Sequence, residues 1–225
     1  MSTATASDFT APLLGGRRHF LLRRLHSLTG IVFGGYVAIH LLVNATLIQG
    51  RNPDVYQTQV NKIHDLPFLW AVEWVFIYLP IIYHTIYGIW IIATGQPNVA
   101  EYPFAKNYLY LLQRVTAIIL AAFIAFHVFA MKGFFTQGLT FDPAHATATA
   151  ERSVAGNWFL AFVVYPLGVL AGCFHLANGF WTAGITWGLT VSKGAQRRWG
   201  VVCACLFAFT LLCGFLALAA CIARL

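Results

Sequence analysis

Four histidines lie inside apolar sequence, one on each of the first four long apolar stretches of the chain. They are His40, His84, His127 and His175. An imidazole in a hydrocarbon environment costs free energy unless a partner compensates it, and neutral imidazole is the commonest metal ligand in proteins. Any one of them, taken alone, is more often a hydrogen-bonding residue between packed helices. As a set they predict ligands to a buried group.

The composition is that of a membrane protein. Of the 225 residues, 59% are hydrophobic and 9% are charged, whereas a soluble domain carries about 25% charged residues. An ordinary soluble domain is therefore excluded. The formal net charge of +7 is interpreted as a topological signal, and no nucleic-acid partner is expected.

Five apolar stretches account for most of the chain, since a membrane helix needs about 20 residues. They predict an all-α fold, a polytopic membrane protein with a single domain (1–225) built as a five-transmembrane-helix bundle. The predicted spans are 27–49, 69–94, 109–132, 158–188 and 201–223. Residues 1–26 are predicted to be a basic N-terminal arm, and 54–65 a short surface helix. The first stretch is too long for a signal-peptide core and is interpreted as a retained helix.

Basic residues predict the orientation of the bundle. Nine lie on the side of the N-terminus: Arg17, Arg18, Arg23, Arg24, Lys106, Arg114, Lys193, Arg197 and Arg198. Five lie on the other side: Arg51, Lys62, Lys132, Arg152 and Arg224. Because cytoplasmic loops carry the excess of lysine and arginine, we expect a cytoplasmic N-terminus and an external C-terminus in the cytoplasmic membrane.

Orientation converts sequence position into depth at about 1.5 Å per residue. His40 and His127 follow the starts of two outward-running helices by about 20 Å or more, which places them in the outer half of the bilayer. His84 and His175 lie on inward-running helices and fall in the cytoplasmic half. The histidines thus sort into two levels of two, and the predicted pairs are His84 with His175 and His40 with His127.

Two imidazoles that face each other across a helix bundle are the axial ligands of a b-type haem. The sequence therefore predicts two stacked haems b. Zinc is a weaker explanation because no cysteine or carboxylate accompanies the histidines at tight spacing. A c-type haem is excluded by the absence of a C-x-x-C-H motif. The five cysteines, in the fourth and fifth stretches, are interpreted as small apolar fillers.

Small residues permit close approach of helices or of a planar ligand. The pairs Gly30/Gly34 and Gly168/Gly172 have the G-x-x-x-G spacing, and both explanations stay open for them. Pro80 and Pro166 precede ligand candidates and are able to kink their helices.

Several motifs together resemble the dihaem cytochrome b membrane anchor of succinate:quinone oxidoreductases (succinate dehydrogenase/fumarate reductase), of the single-subunit five-helix type. The motifs are RRLHSLTG (23–30), HLLVN (40–44), HDLPFLWAVEW (64–74), LPIIYHTIYG (79–88), LQRVTAIILAAFIAFHV (112–128) and FHLANGFWTAGITWGLTVS (174–192). The resemblance covers nearly the whole chain from Arg17 onward.

That resemblance implies two histidine ligands for each haem, one on either face. His40 and His127 would bind the distal haem, and His84 and His175 the proximal haem. His26 and Ser27 match positions near the proximal propionates in the family. Arg23 and Arg24 are equally well explained as counter-charges to these carboxylates and as interfacial anchors.

The resemblance also implies the function: electron relay between an iron–sulfur subunit and a membrane quinone. A flavoprotein subunit and an iron–sulfur subunit would dock on the cytoplasmic face. The chain carries no flavin fingerprint and no cysteine set for a cluster, so alone it is not expected to oxidise succinate. Association into a higher oligomer stays open. The alternatives are the dihaem cytochrome b of a membrane hydrogenase or formate dehydrogenase, and a membrane protein without a cofactor.

Quinone chemistry needs protons, and Glu73 is the only carboxylate in a predicted span. It is interpreted either as a proton acceptor at a quinone site near the distal haem or as an interfacial acid; His64 is a weaker candidate for the same site. The expected quinone is menaquinone. Some fumarate-reducing relatives use a glutamate on the fourth helix, which has no acid here, and this favours succinate oxidation.

Overall fold

The computed structural model describes residues 11–96 and 98–223, and its side chains from Gly16 onward. The first ten residues of the predicted arm and Arg224 lie outside the described residues. Seven helices are present in the described part: α1 (Ala11–Ala45), α2 (Val55–His64), α3 (Leu69–Thr94), α4 (Ala105–Met131), α5 (Ala146–Ala155), α6 (Leu160–Thr186) and α7 (Lys193–Ile222). No β-strand occurs there. The helices α1, α3, α4, α6 and α7 are long and apolar enough to cross a membrane, so the predicted fold class is confirmed.

The helix bounds differ from the predicted spans mainly at basic ends. The bounds of α3 agree with the predicted 69–94, whereas α1 begins at Ala11 and carries its four arginines on helical turns. Similarly, α7 begins at Lys193, where the Ser192 hydroxyl accepts a hydrogen bond of 3.1 Å from the Ala195 N–H. Hydropathy marks where apolar sequence ends, but arginine and leucine are good helix formers, so the helices continue past the apolar stretch.

The four histidine-bearing helices surround a shared interior. α1 packs against α3 and α6, and α6 packs against α4; α3 and α4 have few direct contacts. The remaining long helix, α7, packs on α1 and α6 and carries no histidine. Four of the five cysteines are buried, and Cys205 is exposed.

The predicted proline kinks take the form of π-helical turns. The segment Trp74–Tyr78 precedes Pro80, and Leu160–Val164 precedes Pro166. Proline lacks the N–H that would bond the carbonyl four residues earlier, and a π turn absorbs that missing bond by widening the helix. Both turns lie at the start of a helix that carries a histidine.

The two longer loops fold together into a cap over one end of the bundle. We call residues 50–68 and 132–159, which include α2 and α5, the cap, and the arginine-rich opposite end the basic end. The α2 helix was predicted as 54–65, and its N-cap is Asp54, which accepts from the Gln57 N–H at 3.0 Å. An ion pair between Arg51 and Glu151 joins the two loops. Asp54 also accepts from the Thr147 hydroxyl at 2.9 Å.

Candidate haem-binding site

The structure brings together the two histidine pairs that depth predicted. The ring centroids of His84 and His175, the proximal pair, are 6.2 Å apart with ring planes at 88°. Those of His40 and His127, the distal pair, are 6.0 Å apart with planes at 72°. Bonds of about 2.0 Å from each imidazole nitrogen to a shared metal, plus about 1.1 Å from nitrogen to ring centroid, give a centroid separation of about 6 Å. Both spacings suit a metal ion between the rings.

The proximal rings have their second nitrogen occupied by the protein. The His84 Nδ1–H donates to the His26 carbonyl at 2.9 Å, and the His175 Nδ1–H donates to the Gln113 carbonyl at 3.2 Å. A ring whose Nδ1 carries the proton has an unprotonated Nε2 that can bind a metal. This is the usual arrangement of a metal-binding histidine, and it occurs on both partners of the pair.

Gly30 lies directly beneath the His84 ring. A Cβ at that position would lie 2.5 Å from His84 Cε1 and 2.8 Å from its Nδ1. The His26 ring, one turn before Gly30 on α1, stacks on the His84 ring with centroids 3.9 Å apart and planes at 11°. The other glycines of the G-x-x-x-G pairs pack against apolar side chains, as Gly34 does against Leu176. Gly30 and Gly34 both allow a side chain of a neighbouring helix to approach closely, and the approach of a planar ligand stays a prediction.

The distal rings have side-chain neighbours instead of two carbonyl acceptors. The Tyr165 hydroxyl lies 3.5 Å from His127 Nδ1. The Asn44 side-chain amide donates to the His40 carbonyl at 2.7 Å. The same amide nitrogen lies 3.4 Å from the His40 ring atom Nε2, a long distance for a hydrogen bond. Tyr56 of the cap donates to the Asn44 side-chain oxygen at 3.4 Å. Burial raises the pKa of the Tyr56 phenol, so this donor stays protonated at neutral pH.

Several buried polar atoms on α1, α3 and α4 have no hydrogen-bond partner among the described residues. They include His26 Nδ1, the Tyr87 hydroxyl and Arg114 Nε. Tyr87 lies three residues after His84 on α3, and its ring is 5.7 Å from that of His26. Arg114 on α4 donates to the carbonyls of Ile91 and Gly95 at the end of α3. Since buried polar groups in native proteins are nearly always paired, these atoms fit a ligand with acidic groups.

Ser27 and Arg24 lie nearer the basic end than the proximal rings. The Ser27 hydroxyl accepts from Trp187 Nε1 at 3.0 Å. The Arg24 guanidinium lies 4.7 Å from the Trp187 ring centroid, whereas Arg23 is exposed. Arg114, counted above with the basic residues on the side of the N-terminus, is 9% exposed and donates to carbonyls at the end of a neighbouring helix.

The two quinone-site candidates have different surroundings. Glu73 is half-buried, directly before the π turn of α3, and makes no hydrogen bond with the described residues. It lies within electrostatic range of Tyr36, whose ring is 5.6 Å from that of His40. His64 is exposed at the end of α2 and makes no hydrogen bond or ring contact with the four histidines.

Sequence reasoning missed the residues that hold the histidines in place. Gln113, Asn178 and Tyr165 bond the ligand helices, and Tyr87 and Arg114 carry unpartnered atoms. Their only sequence signal is polarity inside an apolar stretch, which is a general sign of a functional position in a membrane helix.

Comparison with known proteins gives two matches. The family described as "Succinate dehydrogenase/Fumarate reductase transmembrane subunit" matches residues 101–213, which include His127 and His175. The succinate dehydrogenase cytochrome b558 subunit of Bacillus subtilis (strain 168) is 35% identical over 187 residues, covering 82% of this chain and 88% of that protein.

Proposed function

The chain belongs to the family of succinate dehydrogenase/fumarate reductase transmembrane subunits, and we propose on this premise that it relays electrons through two bis-histidine haems b to or from a membrane quinone. It is a cytochrome b membrane subunit of succinate dehydrogenase. The observation that carries the haem assignment is the proximal pair: two rings 6.2 Å apart, each with Nδ1–H bonded to a backbone carbonyl.

In this proposal His84 and His175 bind the proximal haem, and His40 and His127 the distal haem. Each haem, when bound, supplies a one-electron carrier. The protein's residues hold and tune it: the ring N–H donated to a carbonyl orients the imidazole and raises its basicity. Helix packing around the pairs excludes water, which strengthens these electrostatic effects.

His26, Tyr87 and Arg114 are proposed to receive the acidic groups of the proximal haem, because each carries a buried polar atom that has no partner in the part of the chain the structure describes. Ser27 is proposed as a further hydroxyl donor: its oxygen accepts from Trp187, which leaves its own proton free to donate.

For the quinone we propose a site near the distal pair, with Glu73 as the proton-exchanging group. Its support is a series of side chains that are neighbours in space: Glu73 lies within electrostatic range of Tyr36, and the Tyr36 ring lies next to that of His40. His64 contributes less to this proposal because it is exposed and lacks such neighbours. Menaquinone is the proposed quinone, and succinate oxidation is the proposed direction.

The partners follow from the family. We propose that a flavoprotein and an iron–sulfur subunit dock at the basic end, on the cytoplasmic face of the inner membrane. The N-terminus would then be cytoplasmic and the C-terminus external, in agreement with the distribution of lysine and arginine.

The test is to purify the chain with its accompanying subunits and measure haem b per polypeptide, adding succinate before a chemical reductant. Two haems, at least partly reduced by succinate, are expected. His84→Ala and His175→Ala should each remove the same haem, while the exposed His145→Ala should keep both. One haem or none in the unaltered complex would refute the paired assignment. Two haems that succinate leaves oxidised, together with a hydrogenase or formate dehydrogenase subunit, would move the function to another dehydrogenase.

A further inference from the structure

We propose that Gln113 and Asn178 are positioning residues for His175 and thereby set the reduction potential of the proximal haem. This inference rests on the proposed function, since it assumes a haem between His84 and His175. It concerns a polar clamp between α4 and α6 whose atoms bind neither the metal nor the quinone.

Gln113 contacts His175 with both its main chain and its side chain. Its carbonyl accepts from His175 Nδ1 at 3.2 Å, and its Nε2 donates to the His175 carbonyl at 3.1 Å. Its Oε1 accepts from Asn178 Nδ2 at 2.8 Å. Asn178 lies three residues after His175, on the same face of α6. One glutamine is therefore fixed against α6 at two points, the His175 carbonyl and the Asn178 side chain.

The clamp is needed because the acceptor of the His175 ring is a carbonyl in the middle of a helix. The Gln113 carbonyl also receives the Thr116 hydroxyl at 3.2 Å, so the ring competes for it. A small sliding of α4 along α6 would lengthen the ring bond beyond a useful distance. The two side-chain bonds oppose that sliding because they tie the same two residues together.

The partner ligand is held differently. His84 bonds the His26 carbonyl at 2.9 Å, and Gly30 allows α1 to approach the ring closely. No side-chain amide bridges that helix pair in the described residues near His84. Close helix packing orients one ligand of the proximal pair, and an amide network orients the other.

Loss of the clamp should raise the reduction potential of the proximal haem. Donation of the ring N–H to a carbonyl makes the imidazole a stronger electron donor, which favours the oxidised iron. Gln113→Met keeps the shape and the backbone carbonyl but removes both side-chain bonds. We expect a higher potential for the proximal haem and an unchanged distal haem. Asn178→Ala should shift the proximal haem in the same direction by less, because Gln113 keeps its own bond to the His175 carbonyl.

The experiment is a redox titration of the purified complex, followed by haem absorbance. The component lost in His84→Ala identifies the proximal haem. Gln196→Met is the matched control: its side chain bonds the Thr190 carbonyl and Lys106 but no histidine. The double variant Gln113→Met/Asn178→Ala should resemble Gln113→Met, because the two residues form one network.

Each outcome decides the proposal. A shift confined to the proximal haem in Gln113→Met and Asn178→Ala, absent in Gln196→Met, supports it. If Gln113→Met loses its proximal haem, the Asn178→Ala variant is the test: a shift confined to its proximal haem supports the proposal, and no shift overturns it. Unshifted titrations in both variants, or equal shifts of both haems, overturn it. Failure of the proposed function would show earlier, as an unaltered complex that lacks two haems.

Discussion

The sharpest consequence of the proximal geometry concerns a glycine. Replacing Gly30 by alanine places a Cβ 2.5 Å from His84 Cε1, whereas carbon atoms in ordinary contact are about 3.5–4.0 Å apart. The ring must therefore move by about 1 Å. Gly30 and His26 both lie on α1, one turn apart, so a ring that moves away from Gly30 also moves away from the His26 carbonyl. The 2.9 Å bond would lengthen beyond hydrogen-bonding distance.

The magnitude follows from the lost bond. Removing the outer partner of a metal-binding histidine costs about 10- to 100-fold in affinity, which corresponds to about 1.4–2.8 kcal/mol. Overpacking adds about 1–3 kcal/mol of strain. We therefore expect Gly30→Ala to lose most of its proximal haem on purification and to keep the distal haem.

Gly35 supplies the matched control, because a Cβ there meets nothing within 4 Å. Gly35→Ala should keep both haems and, since alanine is the better helix former, gain up to about 1 kcal/mol of stability. The assay is haem b per polypeptide with a redox titration of both components. A Gly30→Ala complex with two haems and an unshifted proximal component would refute the reasoning, as would equal haem loss in Gly35→Ala.

Two further predictions concern the distal pair and the cap. Tyr165→Phe removes the hydroxyl beside His127, a change of about 0.5–1.5 kcal/mol, and should shift the titration of the distal haem only; a shift of the proximal haem would contradict it. Asp54→Ala removes the acceptor of the Gln57 N–H and the Thr147 hydroxyl and should destabilise the cap by about 1–2 kcal/mol. Faster amide hydrogen exchange in both cap helices would show this, and unchanged protection would contradict it.

The sequence predicts those features that depend on the length of an apolar stretch or on the depth of a residue in the membrane. The five long helices, the surface helix 54–65 and the two pairs of histidine rings were all predicted, because apolar length and residue rise determine them. The ligand role of the four histidines stays a prediction.

The features that escaped prediction depend on atoms without a sequence signature. The acceptors of His84 and His175 are backbone carbonyls, which every residue carries. The partner of Arg51 is Glu151, one hundred residues away, and only the folded loops bring them together. Helix α1 begins at Ala11, inside the predicted basic arm, and hydropathy could not show this because it reports burial in lipid and not backbone conformation.

The two histidine levels differ in how firmly the protein holds them. The proximal rings donate to main-chain carbonyls of two helices, which cannot rotate away as a side chain can. The distal rings have Tyr165 and Asn44 as neighbours, and Asn44 is bonded in turn to Tyr56 of the cap at 3.4 Å. The cap is thereby hydrogen-bonded to the distal level, and in the described part of the chain no hydrogen bond joins it to the proximal rings. This asymmetry suits the proposed roles, because a fixed carrier near the partner subunits needs constant geometry, whereas a quinone must enter and leave.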